Sequence, residues 1–180
     1  IDAALAKLRK STNQNSKAHI TNLEKVRNVL ITGGADLEKS RTALRAGNID
    51  GAEQALNTLD QKLKSISKLA NCSDLTTALA SAREALGRLQ QVLAEADRAL
   101  QQCSTNGIAS MISRLQKMDT KNPAIGQKLA DLNRTKAAMD NSRQAFLAAK
   151  AAYNAGDSRT ALSKLDQAER ALDATGSKNN

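Results

Sequence analysis

Apolar residues recur along this chain at steps of three and four, and nowhere in strand-like alternation. The cleanest run is Leu75, Leu79, Ala82, Leu86, Leu89, Leu93, Ala96, Leu100 and Cys103. Strict four–three stepping is the seam of a coiled-coil helix. Gly87 lies off that seam, so the pattern predicts one continuous central helix. Before it, a long helix from about Lys17 to Ala46 has the inward row Leu23, Val26, Leu30, Gly33, Leu37, Ser40, Leu44. After it, a second long helix opens at Asn122-Pro123, with proline at the tolerated first position. Its row reads Leu132, Thr135, Met139, Ser142, Phe146, Ala149, Tyr153. Both rows alternate bulky and small residues, which lets a neighbouring helix approach closely. Phe146 and Tyr153 are expected in the core, in slots where the first row has Leu37 and Leu44. Each long helix is followed by a shorter one. Their expected buried positions are Ala52, Leu56, Leu59, Leu63 and Ile66 in the first, and Ala161, Leu165, Ala168 and Leu172 in the second. Brief amphipathic helices are expected over 2–10 and 108–118.

The two halves repeat one another loosely. Ile1, Leu8, Lys10 and Asn15 align with Ile108, Leu115, Lys117 and Asn122. After a two-residue slip, Leu23, Ala43, Gly47, Ala52, Leu56 and Leu63 align with Leu132, Ala152, Gly156, Ala161, Leu165 and Leu172. A long-period repeat means one supersecondary unit used twice. The expected organisation is a first helical unit over 1–70, a central helix over 71–107 and a second unit over 108–180. Short joints make consecutive helices antiparallel neighbours. The fold class is therefore all-α: an elongated antiparallel bundle with a duplicated helical hairpin and a coiled-coil-like central helix.

The hairpin turns read Ala46-Gly47-Asn48 and Ala155-Gly156-Asp157. Glycine ends a helix because it accepts positive φ. Asn or Asp then caps the next helix by accepting its free N–H groups. Gly156-Asp157, Ala161, Leu165 and Ala168, with Gly47-Asn48, Ala52, Leu56 and Leu59 in the first copy, resemble a tetratricopeptide hairpin. The resemblance covers about 20 residues each time and implies a peptide- or protein-binding groove. The first helices here look about twice that family's length, and the two hairpins are not adjacent, so the likeness is one of turn mechanics. Gly33 and Gly34 lie inside the first long helix, each costing about 1 kcal/mol relative to alanine. Gly33 falls on a small core layer, where a close neighbour would account for it; a kink is the competing reading.

Composition sharpens the picture. The 180 residues include one Phe, one Tyr, one Pro and no Trp. A core of Leu and Ala is thin per residue, so stability must come from many small contacts along long helices. The net charge is +9. Residues 1–70 carry +5, 71–105 carry −1 and 106–180 carry +5. Positive charge thus belongs to the repeated units and favours acidic or anionic partners non-specifically. Acidic residues are interspersed throughout, so a solvated helix surface explains most of it. Asp60–Lys64 and Asp166–Arg170 have i,i+4 ion-pair spacing. No stretch is apolar enough to span a membrane. The start at Ile1 rather than Met fits a removed secretory signal, which leans the localisation towards secreted or periplasmic, and equally a trimmed fragment.

Candidate chemistry is sparse. His19 is the only histidine, and no second His or CxxC accompanies it to make a transition-metal set. No Ser-His-Asp motif is recognisable, and no glycine-rich phosphate loop follows a strand. No catalytic, cofactor-binding or metal-binding residue is assigned, and no cofactor is implied. Cys72 and Cys103 bracket the central helix. A disulfide needs Cα atoms within about 7 Å, which conflicts with a continuous helix between them. Nucleic-acid binding through a basic stripe is disfavoured because stacking platforms need aromatic residues.

Three function classes remain. The first is a non-enzymatic structural or protein-interaction module, binding a protein partner through helix surfaces, with the basic charge favouring an acidic one. The second is an extracytoplasmic sensor or carrier, in which the small layers at Gly33, Ser40, Ser142 and Ala149 line a cavity for a small molecule or lipid. The third is a basic module binding anionic surfaces, lipid headgroups among them.

Overall fold

A computed structural model describes residues 1–10 and 14–173, with the side chain of Gln14 outside the description. The described residues are 86% helical, in seven helices and without a strand. Seven helices follow in order: α1 (Asp2–Arg9), α2 (Gln14–Arg45), α3 (Ile49–Ile66), α4 (Ser73–Gln101), α5 (Thr105–Gln116), α6 (Pro123–Asn154) and α7 (Ser158–Asp173). The fold class is all-α, a helical bundle. Two compact units divide it, Ile1–Gln90 and Gln91 onward, with the boundary inside α4. Gly87 does not break α4, and nothing would meet a Cβ added there. No disulfide joins Cys72 to Cys103.

The first unit is the α2–α3 hairpin with the first half of α4 laid against it. Gly47 turns the chain at φ 72°. Asn48 caps α3, its Oδ1 accepting from the Gly51 amide at 2.8 Å. The core gathers Val26, Val29 and Leu37 from α2, Ala52, Leu56, Leu59, Leu63 and Ile66 from α3, and Leu79 and Leu86 from α4. α1 packs on α2. Gly33 is explained by close approach: a Cβ there would lie 2.9 Å from Leu59 Cδ1 and 3.5 Å from Leu75 Cδ1. α2 continues through Gly33 and Gly34 without a break.

The expected inward row of α2 needs one correction. Leu30 is 37% exposed, and Val29 is buried in its place. The row Val29, Gly33, Asp36 and Ser40 is buried, with Gly33 against Leu59 and Asp36 paired with Lys62 on α3. Leu37 belongs to a neighbouring row on the same helix, and its cluster includes the α4 leucines. The single predicted heptad row therefore merged two adjacent rows of the same helix.

The second unit contains the remainder of α4, α5 and the α6–α7 hairpin. Asn122 caps α6 by accepting from the Ala124 amide at 3.0 Å, with Pro123 following. α5 packs on α6 and buries Ile108, Met111, Ile112 and Leu115. Glu95 of α4 accepts from Arg114 of α5, and Lys128 of α6 reaches Asp97 at 2.5 Å. Within this unit the α4 seam turns by one position. Val92 and Ala99 are buried, while the predicted Leu93 and Leu100 are half-buried.

Candidate functional site

Gly156 turns the second hairpin at φ 82°. Asp157 caps α7, its Oδ1 accepting from the Thr160 amide at 3.0 Å. The Thr160 hydroxyl, then its amide, hold the Asp157 carboxyl below its ordinary pKa. Between α6 and α7 the buried positions are small: Ser142, Ala145, Ala149, Ala161 and Ala168. Small residues on both helices bring the backbones together and leave bulky side chains on the flanks.

Phe146 and Tyr153 are where the structure departs most from the sequence reading. Phe146 is 56% exposed and Tyr153 70% exposed, so neither is a core residue. Leu165 and Leu172, also expected inside, are 43% and 47% exposed. Phe146, Ala149 and Tyr153 of α6 and Ala161, Leu162 and Leu165 of α7 line an open groove of about 470 Å³. Lys150 and Ser158 supply its polar edge. Leu147 extends the apolar surface along α6. Isolated exposed leucines are ordinary on a protein surface, whereas a contiguous apolar patch marks an interaction site.

The first hairpin shows what the same positions do when covered. Counted from the turn glycines, Leu37, Leu56 and Leu63 hold the places of Phe146, Leu165 and Leu172. The three leucines of the first hairpin are 7%, 1% and 8% exposed. They share a cluster with Leu79 and Leu86 of α4. Among the described residues nothing covers Phe146 and Leu165 in this way. No known protein family, curated protein or solved structure matches this chain.

The opposite flank of the α6–α7 hairpin is polar, with Asn141, Gln144, Lys164, Gln167 and Arg170 around a shallow depression. His19 is exposed beside Leu8, Asn22, Lys68 and Leu69. The Asp60–Lys64 pair forms at 2.9 Å. Its expected counterpart Asp166–Arg170 does not form among the described residues. Sequence reasoning missed Phe146, Tyr153, Leu162 and Leu165 as a surface. One signal was present: Leu162 occupies the place that exposed Glu53 holds in the first hairpin. Beside Phe146, Tyr153 and Leu165, that leucine makes the exposed apolar positions contiguous.

Proposed function

We propose that this protein is a non-enzymatic protein-interaction module whose working surface is the open flank of the α6–α7 hairpin. The occupant is an amphipathic α-helix from a partner protein. A helix laid into an apolar groove is a recurring mode of peptide recognition, read through anchors at helical spacing. One observation carries the reading: Phe146 and Leu165 are open to solvent, while Leu37 and Leu56 are buried in a cluster with the α4 leucines. The repeat expected from the sequence adds support, since two diverged copies of one hairpin would present the same face to a third helix. Aromatic anchors such as Phe146 and Tyr153 suit an interface, being large and rigid. The net positive charge would steer an acidic partner towards the protein without fixing the contact.

The test uses a synthetic peptide of residues 73–90 as the stand-in helix, titrated into isotope-labelled protein. Resonance shifts confined to 142–172, and abolished by Phe146→Glu, are expected. Absence of saturable shifts, or shifts centred on Leu56 and Leu63, would overturn the proposal.

A further inference from the structure

The covering helix of the first unit is held by charge as well as by its leucines. Arg83 of α4 lies between Ala82 and Leu86 on the seam flank. Its guanidinium donates to Asn57 Oδ1 at 3.1 Å and to Asp60 Oδ2 at 3.2 Å, both on α3. Counted from the turn glycines, Asp166 and Glu169 of α7 stand where α3 has Asn57 and Asp60. The clamp position therefore carries two carboxylates in place of an amide and a carboxylate. Both are exposed, and neither forms an ion pair among the described residues. Asp166 and Glu169 follow Leu162 at helical spacing, so they edge the groove on its α7 side.

We infer that the helix received by the α6–α7 groove carries a basic residue, arginine or lysine, flanking a Leu/Ala seam in the register that Arg83 has in α4. This rests on the docking reading above and adds its specificity. The leucines supply contact area in any register, whereas the Asp166–Glu169 pair rewards one register and penalises an acid there. Like charge at an interface edge is a means of rejecting wrong partners. The broad basic excess of the chain attracts acidic proteins at long range. At this edge the local sign is the reverse, so an acidic helix face would be oriented away from α7.

The experiment replaces residues 174–180 by a second copy of 65–90, with Cys72→Ser in that copy, in the full chain. Lys64 and Asp173 hold the same place after their turns, so the added loop and helix enter in the register of α3 to α4. Phe146 is the sole phenylalanine. Biosynthetic fluorophenylalanine therefore gives one ¹⁹F signal that reports groove occupancy, read at the urea midpoint of docking. The added helix is expected to shield Phe146. Arg83→Glu in the added copy should lower the docked-to-open ratio roughly fivefold, in the range of an exposed ion pair. Asp166→Lys with Glu169→Lys should restore it for the Glu-bearing helix. If Phe146 stays exposed in the parent fusion, the groove reading itself fails. If Phe146 is shielded but the charge reversals leave the ratio unchanged, the charge inference fails and the groove reading stands.

Discussion

Leu37 and Phe146 occupy the same place before their turn glycines, yet Leu37 is 7% exposed and Phe146 56%. The difference lies in the neighbour. Leu37 is clustered with Leu79 and Leu86 of α4, and no third helix among the described residues covers Phe146. Leu56 and Leu165 repeat the contrast on the second helices, at 1% and 43%. Truncating them should cost unequal amounts. Leu56→Ala removes a fully enclosed side chain and should cost about 3 kcal/mol. Leu165→Ala should cost less than about 1 kcal/mol, because its side chain already meets water. Urea unfolding of each unit measures both, and equal losses would contradict the assignment of an open face.

Ser40 is wholly buried, and its hydroxyl has no hydrogen-bond partner. An unsatisfied buried donor destabilises the folded state. Ser40→Ala removes that group with little change of volume. The variant should be more stable by about 1 kcal/mol, seen as a higher urea midpoint with an unchanged slope.

Adjacent glycines in α2 should respond differently to alanine. Nothing lies within 4 Å of a Cβ at Gly34. Gly34→Ala should therefore gain the helix-propensity difference, about 1 kcal/mol. At Gly33 the new methyl would lie 2.9 Å from Leu59 Cδ1. Leu59 must shift within a packed core, so Gly33→Ala should gain less or lose outright. A larger gain at Gly33 than at Gly34 would contradict the close packing described for α2, α3 and α4.

Asp36 is 5% exposed, with Lys62 Nζ 2.5 Å from its Oδ2. Lys39 approaches its other oxygen only to 4.0 Å. Removing one partner of a buried pair strands the other. Lys62→Met should cost about 2 kcal/mol, a figure reduced from the fully buried case because Lys62 is partly solvated. Replacing both residues, by Asp36→Leu with Lys62→Met, should recover most of that loss. A double variant as unstable as the single would count against this account.

Three carboxylates have depressed pKa values. Hydrogen bonding to Lys64, reinforced by Arg83, lowers Asp60. Gln91, with the nearby Arg114 charge, lowers Glu95. Thr160 lowers Asp157 at the head of α7. A group whose pKa is lower folded than unfolded stabilises the fold above its unfolded pKa, and that contribution is lost as pH falls through its folded value. Melting temperature should be level near neutrality and fall below about pH 4. Asp60→Asn should flatten part of that acid slope, and an unchanged slope would contradict the role given to the Lys64 and Arg83 contacts.

Much of the architecture was legible in the residues themselves. The Gly47-Asn48 and Gly156-Asp157 turns, the Asn122-Pro123 helix start and the passage of α4 through Gly87 are local properties, set by φ preference, capping and periodicity. The faces were less legible. A step of three and a step of four from Ser142 reach Ala145 and Phe146, side by side on one helix. Periodicity alone cannot say which of them meets the hairpin partner. Hydrophobicity favoured the phenylalanine, while close approach at Ala161 and Ala168 selected the alanine. The surface stayed hidden for a related reason: a leucine or aromatic at a seam position reads as core whether or not a helix lies over it.

Tyr153 is the only tyrosine in a chain without tryptophan, so its fluorescence reports the proposed surface without labelling. Acrylamide quenching of the unmodified protein, alone and saturated with the 73–90 peptide, tests the docking claim most directly. The account predicts quenching close to that of a free tyrosine in the protein alone and clear protection once the peptide is bound. A tyrosine already shielded in the free protein, or one equally quenched with peptide bound, would contradict it.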